Sequence, residues 1–377
     1  MAGIYIHIPF CKQRCHYCDF HSSDSMAEKT RLIECISLEL KNRNKYLGNE
    51  PVETIYFGGG TPSVLNKEEL SMILEAVRSN YNVIQNPEIT IELNPDDLSV
   101  DYFLMLRKLS FNRVSIGIQS FSDDLLKLMR RRHNADQGVR GVLDAQKAGF
   151  DNISIDLIYG VPGLTGELWE QTLEKTISLN VQHISAYHLT IERGTVFSAM
   201  NRKGQLKIVK ESDSVSQFHE LVEYCEKNGF IQYEISNFGK EGFFSIHNSN
   251  YWKQKKYLGV GPSAHSFDLE SRQWNVSDNK IYIEKSLNGE IYHEKEILTE
   301  VDRINEYLMT SLRTMYGVEK DYVEKNFGKE YAEKIYYGVQ KYIQGEYAEF
   351  KNGRLTLTKK GKFISDRIIT ELFVSND

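Results

Sequence analysis

Strand-like and helix-like segments alternate through the first half of this 377-residue sequence, and no other feature limits its fold as strongly. Short apolar runs typical of buried strands occur at residues 3–8, 54–57, 88–93, 113–118, 153–159 and 183–190. The intervening segments, such as residues 26–43, have the apolar spacing of helices. Strands that alternate with helices form βαβ units and a parallel sheet. Six units rather than eight predict an α/β fold built as a partial (β/α)6 barrel.

Three cysteines, Cys11, Cys15 and Cys18, follow the first predicted strand with the spacing C-x3-C-x2-C. Four cysteines complete the usual electron-transfer cluster, whereas three can hold three irons of a four-iron cluster and leave the fourth iron open. An open iron can bind a small molecule. The spacing therefore predicts a [4Fe–4S] centre with a free coordination site.

A structural zinc site and disulfides are the alternatives for these cysteines. Zinc motifs usually combine two close cysteines with a second pair of ligands, and the other cysteines, Cys35 and Cys225, are isolated. A zinc site that uses His16 or His21 remains the weaker alternative. Disulfides are disfavoured because the five cysteines are odd in number and the sequence has no secretory signal.

Composition limits the class of protein. The chain is 41% hydrophobic and 26% charged, with a net charge of −6 and an isoelectric point of about 6.0. These values are typical of a soluble protein with one large and one smaller domain, and they lack the basic footprint of a nucleic-acid binder. No apolar run approaches the roughly 20 residues that cross a bilayer. We expect a cytoplasmic protein without a nucleic-acid partner, and peripheral membrane contact stays open.

The alternation of strands and helices stops after residue 191. A polar segment at 193–213 precedes a predicted helix at 215–228, and residues 230–274 are aromatic and rich in turn-forming residues. From about residue 300 the chain becomes helical and charged, and residues 354–363 predict a strand, a turn and a last helix. We predict a barrel at 1–235, a connecting segment at 236–297, and a small helical, winged-helix-like domain at 298–377.

The cysteine spacing is the signature of the radical S-adenosylmethionine (SAM) superfamily, which the chain resembles at this loop. Ligands of parallel α/β sheets bind at the carboxyl ends of the strands. Candidate residues at such ends are the turn Gly58-Gly59-Gly60-Thr61-Pro62, Glu92, Gln119, Arg131 and Asp156. The resemblance implies that the glycine turn holds the amino group of SAM, and arginine is the natural partner of a carboxylate.

Each of these candidates also has a purely structural interpretation. The glycines could form a flexible turn, and Glu92 could be a solvated loop acid. Arg131 stands between Arg130 and Arg132 in a basic turn, so only its position in the family's motif distinguishes it from its neighbours. Asp156 interrupts an apolar strand, where a charge is costly unless it is paired with a ligand or a buried arginine.

Along nearly its whole length the chain resembles the oxygen-independent coproporphyrinogen III oxidase family. The matching segments are Tyr5-Ile6-His7-Ile8-Pro9-Phe10-Cys11, the glycine turn, Gly117-Ile118-Gln119-Ser120-Phe121 and Asp156-Leu157-Ile158-Tyr159-Gly160. The resemblance implies a TIM-like radical SAM barrel whose cluster is held by the three cysteines. It also implies that SAM is bound by Tyr5, Tyr17, Gly59, Gly60, Thr61, Glu92, Gln119, Arg131 and Asp156.

Two departures from the oxidases point to a sister group of heme chaperones. The oxidases have a further cysteine two positions after the third ligand, where this chain has Phe20. They also carry an N-terminal extension, whereas this chain begins close to its first predicted strand. Both departures predict that the chain is not an active coproporphyrinogen III dehydrogenase, and no residue is assigned a catalytic role.

The run His247-Asn248-Ser249-Asn250-Tyr251-Trp252 resembles the HNxxYW hallmark of the chaperone group, which implies heme binding. A neutral imidazole can ligate heme iron, and Tyr251 and Trp252 can pack on a porphyrin face. A structural histidine among core aromatics is the alternative for His247. His265 is a second, weaker candidate ligand, and His183 and His188 rank third.

The resemblance therefore implies a radical SAM protein with a [4Fe–4S] cluster and SAM. It would bind heme and transfer it to hemoproteins such as respiratory enzymes, and an electron donor would serve the cluster. The alternative is the oxidase itself, which decarboxylates coproporphyrinogen III to protoporphyrinogen IX in porphyrin biosynthesis. A radical SAM enzyme acting on RNA is a third interpretation, which the acidic balance disfavours.

Overall fold

The structure is a computed structural model that describes residues 1–375. Residues 376 and 377, the end of the predicted C-terminal domain, lie outside the described part. Six parallel strands occupy the places that the apolar runs predict: β1 (Ala2–Ile8), β2 (Val52–Gly59), β3 (Val83–Leu93), β4 (Arg113–Gln119), β5 (Ile153–Tyr159) and β6 (His183–His188). Each pairs in parallel with the next along the chain.

Helices connect these strands and pack on the outside of the sheet. They are α1 (Lys29–Asn42), α2 (Lys67–Asn80), α3 (Val100–Lys108), α4 (Asp123–Leu128), α5 (Ala135–Lys147), α6 (Gly166–Ser178), α7 (Val196–Arg202) and α8 (Glu211–Lys227). The predicted apolar face of α1 is buried. Capping boxes at Asn66 and Asn134 satisfy free backbone N–H groups at the starts of α2 and α5. The polar segment at 193–213 contains α7, which the sequence did not predict.

The next part of the chain extends the sheet at both edges. Its elements are β7 (Ile231–Gln232), β8 (Asn237–Gly239), α9 (Ile246–Trp252), β9 (Tyr257–Val260), β10 (His265–Phe267), β11 (Ser271–Asn275), α10 (Asn279–Asn288) and β12 (His293–Ile297). The strand order among the described residues is β12-β11-β10-β9-β1-β2-β3-β4-β5-β6-β8-β7. Only β9 joins in parallel, on β1. The stretch at 230–274, rich in turn-forming residues, contains the short strands β7 to β10, most of β11 and the helix α9.

The C-terminal part combines helices with a small antiparallel sheet. Its elements are α11 (Glu300–Leu312), β13 (Val318–Glu319), α12 (Lys320–Phe327), α13 (Lys329–Gly338), α14 (Gln340–Gln344), β14 (Ala348–Lys351), β15 (Arg354–Leu357), α15 (Lys359–Phe363) and α16 (Ser365–Leu372). The strand order is β13-β15-β14. Asn352 and Gly353 both have positive φ in the turn between β14 and β15, as a type I′ hairpin requires. This arrangement of helices with a β-hairpin confirms a winged-helix-like unit.

Two separate hydrophobic cores support the two units. One lies between the large sheet and its helices, and the other lies inside the C-terminal part, where Ile304, Leu308 and Ile368 are fully buried. The boundary at residue 298 remains our proposal, and the segment 236–297 adds strands to the barrel sheet instead of merely connecting two units. No helix in the described part of the chain has the length and apolar character needed to cross a membrane.

Candidate functional site

The cysteine loop leaves the carboxyl end of β1 and is fixed there by backbone hydrogen bonds. The N–H of Cys11 donates to the carbonyl oxygen of Ser23 at 2.9 Å, and the N–H of Ser23 donates to that of Pro9 at 2.8 Å. Cys11, Cys15 and Cys18 are all free thiols, Cys11 buried and the other two partly exposed. The loop therefore presents three sulfur atoms at one edge of the sheet.

Neighbouring polar groups point at these sulfur atoms. The hydroxyl of Thr61 donates to Cys11 Sγ at 3.3 Å, and Arg131 Nη1 donates to Cys15 Sγ at 3.4 Å. Burial raises the pKa of the Cys11 thiol, and it raises that of Cys18 to about 11. Iron binding would therefore displace protons from these thiols.

The described residues contain no group of three His, Cys, Asp or Glu side chains placed to hold one metal ion. Thiolates that each bind a different iron of one cluster need not converge on a single point. Three sulfurs on one loop, two of them accepting hydrogen bonds, form a donor set that fits a [4Fe–4S] cluster.

The glycine turn at the carboxyl end of β2 packs tightly against the cysteine loop. Gly59 has φ +105°, and a Cβ on it would lie 2.7 Å from the ring of His7. A Cβ on Gly60 would lie 2.8 Å from the carbonyl oxygen of Phe10 and 2.9 Å from that of Ile8. Any side chain at Gly60 would therefore push the backbone before Cys11 out of place.

Two acidic side chains lie inside the barrel near these loops. Burial, followed by the charge of Asp156, raises the pKa of Glu92 to about 7. Burial also raises the pKa of Asp156. The hydroxyl of Tyr56 donates to Glu92 Oε1 at 2.8 Å, and that of Ser115 donates to Asp156 Oδ1 at 2.9 Å. Both carboxyl groups are thus hydrogen-bonded to the protein, and both also line a cavity large enough for a ligand.

Arg131 is the arginine of its turn that lines this space. Its Nη2 donates to Asn94 Oδ1 at 2.5 Å and to the carbonyl oxygen of Gly117 at 2.8 Å, while its buried Nε has no partner among the described residues. Arg130 is exposed, and Arg132 forms an ion pair with Asp96 at 2.9 Å. An unpartnered buried guanidinium N–H is suited to an anionic ligand.

A cavity of about 510 Å³ brings most of the predicted residues together. It is lined by Cys11, Cys15, Tyr17, Cys18, Gly59, Gly60, Thr61, Glu92, Gln119, Arg131 and Asp156. Tyr5 is not among its lining residues. Sequence reasoning missed Asn94 and Tyr187, which also line it. Asn94 directly follows the third strand, so its position was a signal, whereas Tyr187 lies within a strand and gave none.

His247 lies at the opposite end of the barrel from the cysteine loop. The carboxylate of Glu88, at the start of the buried part of β3, accepts the N–H of Ile246 and the N–H of His247 at 3.0 and 2.9 Å. The HNxxYW run lies in helix α9. These hydrogen bonds hold α9 over the amino-terminal ends of the strands.

The imidazole of His247 is enclosed and fully hydrogen-bonded. Nδ1 pairs with the hydroxyl of Thr54 at 2.8 Å, and Nε2 pairs with the hydroxyl of Tyr251 at 2.9 Å. The ring stacks on Tyr56 with 4.9 Å between centroids. Burial, followed by the charge of Arg113, lowers the pKa of His247 to about 3. The ring is neutral but has no free nitrogen for a metal.

A second cavity of about 460 Å³ contains the other predicted aromatic residues. It lies beside β1 and β9 and is lined by Tyr5, Tyr251 and Trp252 together with Tyr257, Phe267, His7, His21 and His265. Phe20 lines both this cavity and the first one and is 63% exposed. Phe20, two positions after Cys18, therefore borders both cavities.

The three histidines of the second cavity differ in their availability. Both ring nitrogens of His7 are engaged, with Tyr5 at 3.2 Å and with the His21 carbonyl oxygen at 3.0 Å. His21 Nε2 pairs with Asn279 at 2.8 Å. His265 is exposed, and its ring makes no hydrogen bond within the described chain. Desolvation by the cavity walls, followed by the charge of Arg272, lowers the pKa of its ring below the ordinary value of 6.5, which favours the neutral form.

The partial barrel and its three-cysteine loop define a radical SAM protein. The sequence profile of the Radical SAM superfamily matches residues 5–176. The chain is 34% identical to "Heme chaperone HemW" of Bacillus subtilis (87% of this chain, 88% of that protein). It is 33% identical to "Heme chaperone HemW" of Lactococcus lactis (99% and 97%). The chain belongs to the HemW family of the radical SAM superfamily.

A solved structure shares the fold over the whole chain. The Escherichia coli structure described as "Coproporphyrinogen III oxidase (HemN)" and as "a Radical SAM enzyme" superposes with a TM-score of 0.85. The superposition covers 99% of this chain and 90% of the Escherichia coli chain, and the two sequences are 21% identical. This likeness confirms the predicted fold, including the C-terminal unit.

Proposed function

We propose that this chain binds a [4Fe–4S] cluster, SAM and heme, and that it passes heme to acceptor hemoproteins in the cytoplasm. Membership of the HemW family supports the proposal. The observation that carries heme binding is the aromatic cavity beside β1, where His265 offers a free imidazole next to Tyr251 and Trp252. The acceptor proteins and the electron donor follow from the family resemblance alone.

The first cavity is the proposed cluster and SAM site. Cys11, Cys15 and Cys18 would each hold one iron. Bound there, the cluster would supply electron-transfer chemistry to SAM. The Arg131 guanidinium, with its unpartnered Nε, would bind the SAM carboxylate, and Glu92 would accept hydrogen bonds from its hydroxyl or ammonium groups.

Further residues complete this proposed site. Gly59, Gly60 and Thr61 would present backbone groups to SAM, while Tyr17, Gln119 and Asp156 would line the rest of the pocket. Tyr5 would act from outside this cavity, because its ring stacks on Tyr56, the hydrogen-bond partner of Glu92.

Tyr251 and Trp252 would hold heme in the second cavity, and His265 would supply an imidazole for its iron. We propose that His247 acts as a positioning residue, because its Nε2 fixes the hydroxyl of Tyr251. Direct ligation by His247 would require the ring to give up Thr54 or Tyr251. A neutral imidazole with a free nitrogen, such as that of His265, fits heme iron better.

Heme titration of the anaerobically reconstituted protein tests this proposal. We compare wild type with His265→Ala and with His219→Ala, a matched control because His219 is exposed on α8 and outside both cavities. Wild type and His219→Ala are expected to bind one heme per chain with the absorbance spectrum of an imidazole-ligated iron. His265→Ala is expected to lose that spectrum.

The other outcomes are equally decisive. An unchanged spectrum in His265→Ala would refute His265 as the ligand. Absence of heme binding by wild type would overturn the chaperone function. Formation of protoporphyrinogen IX from coproporphyrinogen III in an anaerobic assay would then establish the oxidase alternative.

A further inference from the structure

We infer that a third cavity, between the barrel and the C-terminal unit, binds the carboxylate groups of the planar ligand whose ring lies in the second cavity. This inference rests on the proposed heme function and names the part of the heme that the C-terminal unit would recognise. The cavity measures about 540 Å³. It is called the interdomain cavity below and includes Trp252, Lys253, Arg303, Tyr316 and Arg354.

The interdomain cavity adjoins the proposed heme cavity. Trp252, Gln254 and Phe267 line both. The indole N–H of Trp252 is buried and has no hydrogen-bond partner within residues 1–375. A buried donor without a partner is costly unless a ligand or water accepts from it. Trp252 thus stands between an aromatic space and a polar one, with a free donor.

The walls of the interdomain cavity are aromatic on the side of the C-terminal unit. The rings of Tyr307 and Tyr322 are 4.5 Å apart between centroids, and Phe327 lies against both. Tyr316 and Tyr322 are 38% and 40% exposed. Large aromatic rings left open around a concave space favour a flat ligand.

The charges around the interdomain cavity favour an anion. Three cations and one carboxylate line it, in a chain whose net charge is −6. The carboxylate, Glu306, already forms an ion pair with Arg272. Arg354 is paired with Glu319 at 3.0 Å. Lys253 and Arg303 are therefore the two cations of the cavity that remain available to a ligand.

These two remaining cations have no carboxylate partner among the described residues. Lys253 Nζ lies 5.5 Å from the ring centroid of Tyr316, and the exposed Arg303 stands on the first turn of α11. Arg and Lys bind carboxylates through charge-assisted hydrogen bonds. A ligand with a flat apolar body and carboxylate arms, such as the two propionates of heme, matches both cavities at once.

Comparison of heme with heme dimethyl ester tests the inference, because the ester keeps the ring and iron but lacks the negative charges. Wild type is expected to bind heme about 10-fold or more tightly than the ester, the size expected for charge-assisted hydrogen bonds. In the double variant Lys253→Gln, Arg303→Gln this preference should vanish. Arg31→Gln, which changes an exposed arginine on α1, should retain it.

The possible results separate this inference from the proposed function. Equal affinity of wild type for heme and ester, or a preference that survives in the double variant, would overturn the inference while heme binding stands. Failure of wild type to bind either compound would overturn the proposed function, and the inference with it. Circular dichroism of each variant checks that the fold is intact.

Discussion

Inside the barrel, ionisable side chains have little contact with water, so burial shifts their pKa values most and neighbouring charges add to or oppose that shift. Arg113 is 1% exposed, and its charge lowers the pKa values of Glu92 and Asp156, opposing the effect of burial on both. It also helps to keep His183 and His247 neutral. One buried arginine therefore shifts the pKa values of carboxyl groups near the proposed SAM site and of imidazoles that include the ring of His247, under α9.

Glu92→Gln is expected to stabilise the protein without ligands at alkaline pH. The folded pKa of about 7 exceeds the ordinary value of 4.5, so the folded state holds the proton more tightly than the unfolded state. Wild type therefore loses stability as pH rises from about 4.5 to about 7. The amide has no charge to bury and can still accept from Tyr56.

Urea unfolding of both proteins measures this effect. Above about pH 7.5 the variant should exceed wild type by about 1 to 2 kcal/mol, less than the full pKa shift implies because Glu92 borders a cavity. Near pH 4.5 the two proteins should differ little. A gap that stays constant across this range would mean that Glu92 does not titrate in the folded state.

His247→Ala is expected to damage the fold more than any direct ligand role would predict. The substitution leaves the hydroxyls of Thr54 and Tyr251 without their partner and opens a hole beneath Tyr56. We expect a loss of about 2–4 kcal/mol in the free energy of unfolding. The exposed His219→Ala should stay within about 0.5 kcal/mol. Equal stability of both variants would contradict the enclosed position of His247.

At the scale of elements, the strand–helix alternation predicted the six parallel strands well, and β5 has the predicted bounds. Burial on both faces gives parallel strands continuous apolar runs that sequence reveals. The strands β7 to β11 are only two to five residues long. Two of them pair with strands distant in the chain, β9 with β1 and β8 with β6, and the others pair with their sequence neighbours. Such pairing leaves little trace in local sequence.

The same contrast between local and long-range contacts decides which parts of the candidate site the sequence predicts. The cysteines follow β1, the glycine turn and Glu92 lie at the carboxyl ends of β2 and β3, and Arg131 follows β4, so their meeting in one cavity could be foreseen. His247 was expected near a ligand, and only the structure shows that helix α9 turns its ring into the barrel. The hydroxyl of Ser245 caps α9 by accepting the N–H of Asn248 at 3.2 Å.

Gly60→Ala is expected to disturb the cysteine loop and lower cluster incorporation. The new methyl group would press on the carbonyl oxygens of Phe10 and Ile8, which are backbone atoms that cannot rotate away. Gly166→Ala is the matched control, because a Cβ there meets nothing within 4 Å and alanine favours the helix α6. Iron and sulfide content after anaerobic reconstitution should fall at least several-fold in the first variant and stay normal in the control. Full incorporation in Gly60→Ala would show that the contact is unimportant.

At the scale of the whole molecule, the interdomain cavity exists only while the barrel and the C-terminal unit keep their relative position. Arg272 on β11 and Glu306 on α11 form an ion pair across the boundary, with side chains 27% and 15% exposed. The Arg272 guanidinium also lies 4.8 Å from the ring centroid of Phe267 and donates to Tyr257 at 3.4 Å. The pairs Lys359–Glu226 and Lys362–Gln232 bridge the units elsewhere. This pair helps to fix the two walls of the cavity, together with the hydrogen bond from the Met315 N–H to the Tyr233 carbonyl oxygen at 3.0 Å.

Glu306→Gln is expected to uncouple the two units in part. Removing the carboxylate leaves the half-buried Arg272 without a counter-charge, which should cost about 1–3 kcal/mol. Glu330→Gln is the control, because its pair with Lys334 is exposed on α13 and should contribute no more than about 0.5 kcal/mol. Calorimetry should show the C-terminal unit of Glu306→Gln melting at a lower temperature than the barrel. If Glu306→Gln instead melts in the same way as Glu330→Gln, the two units are held together by other contacts.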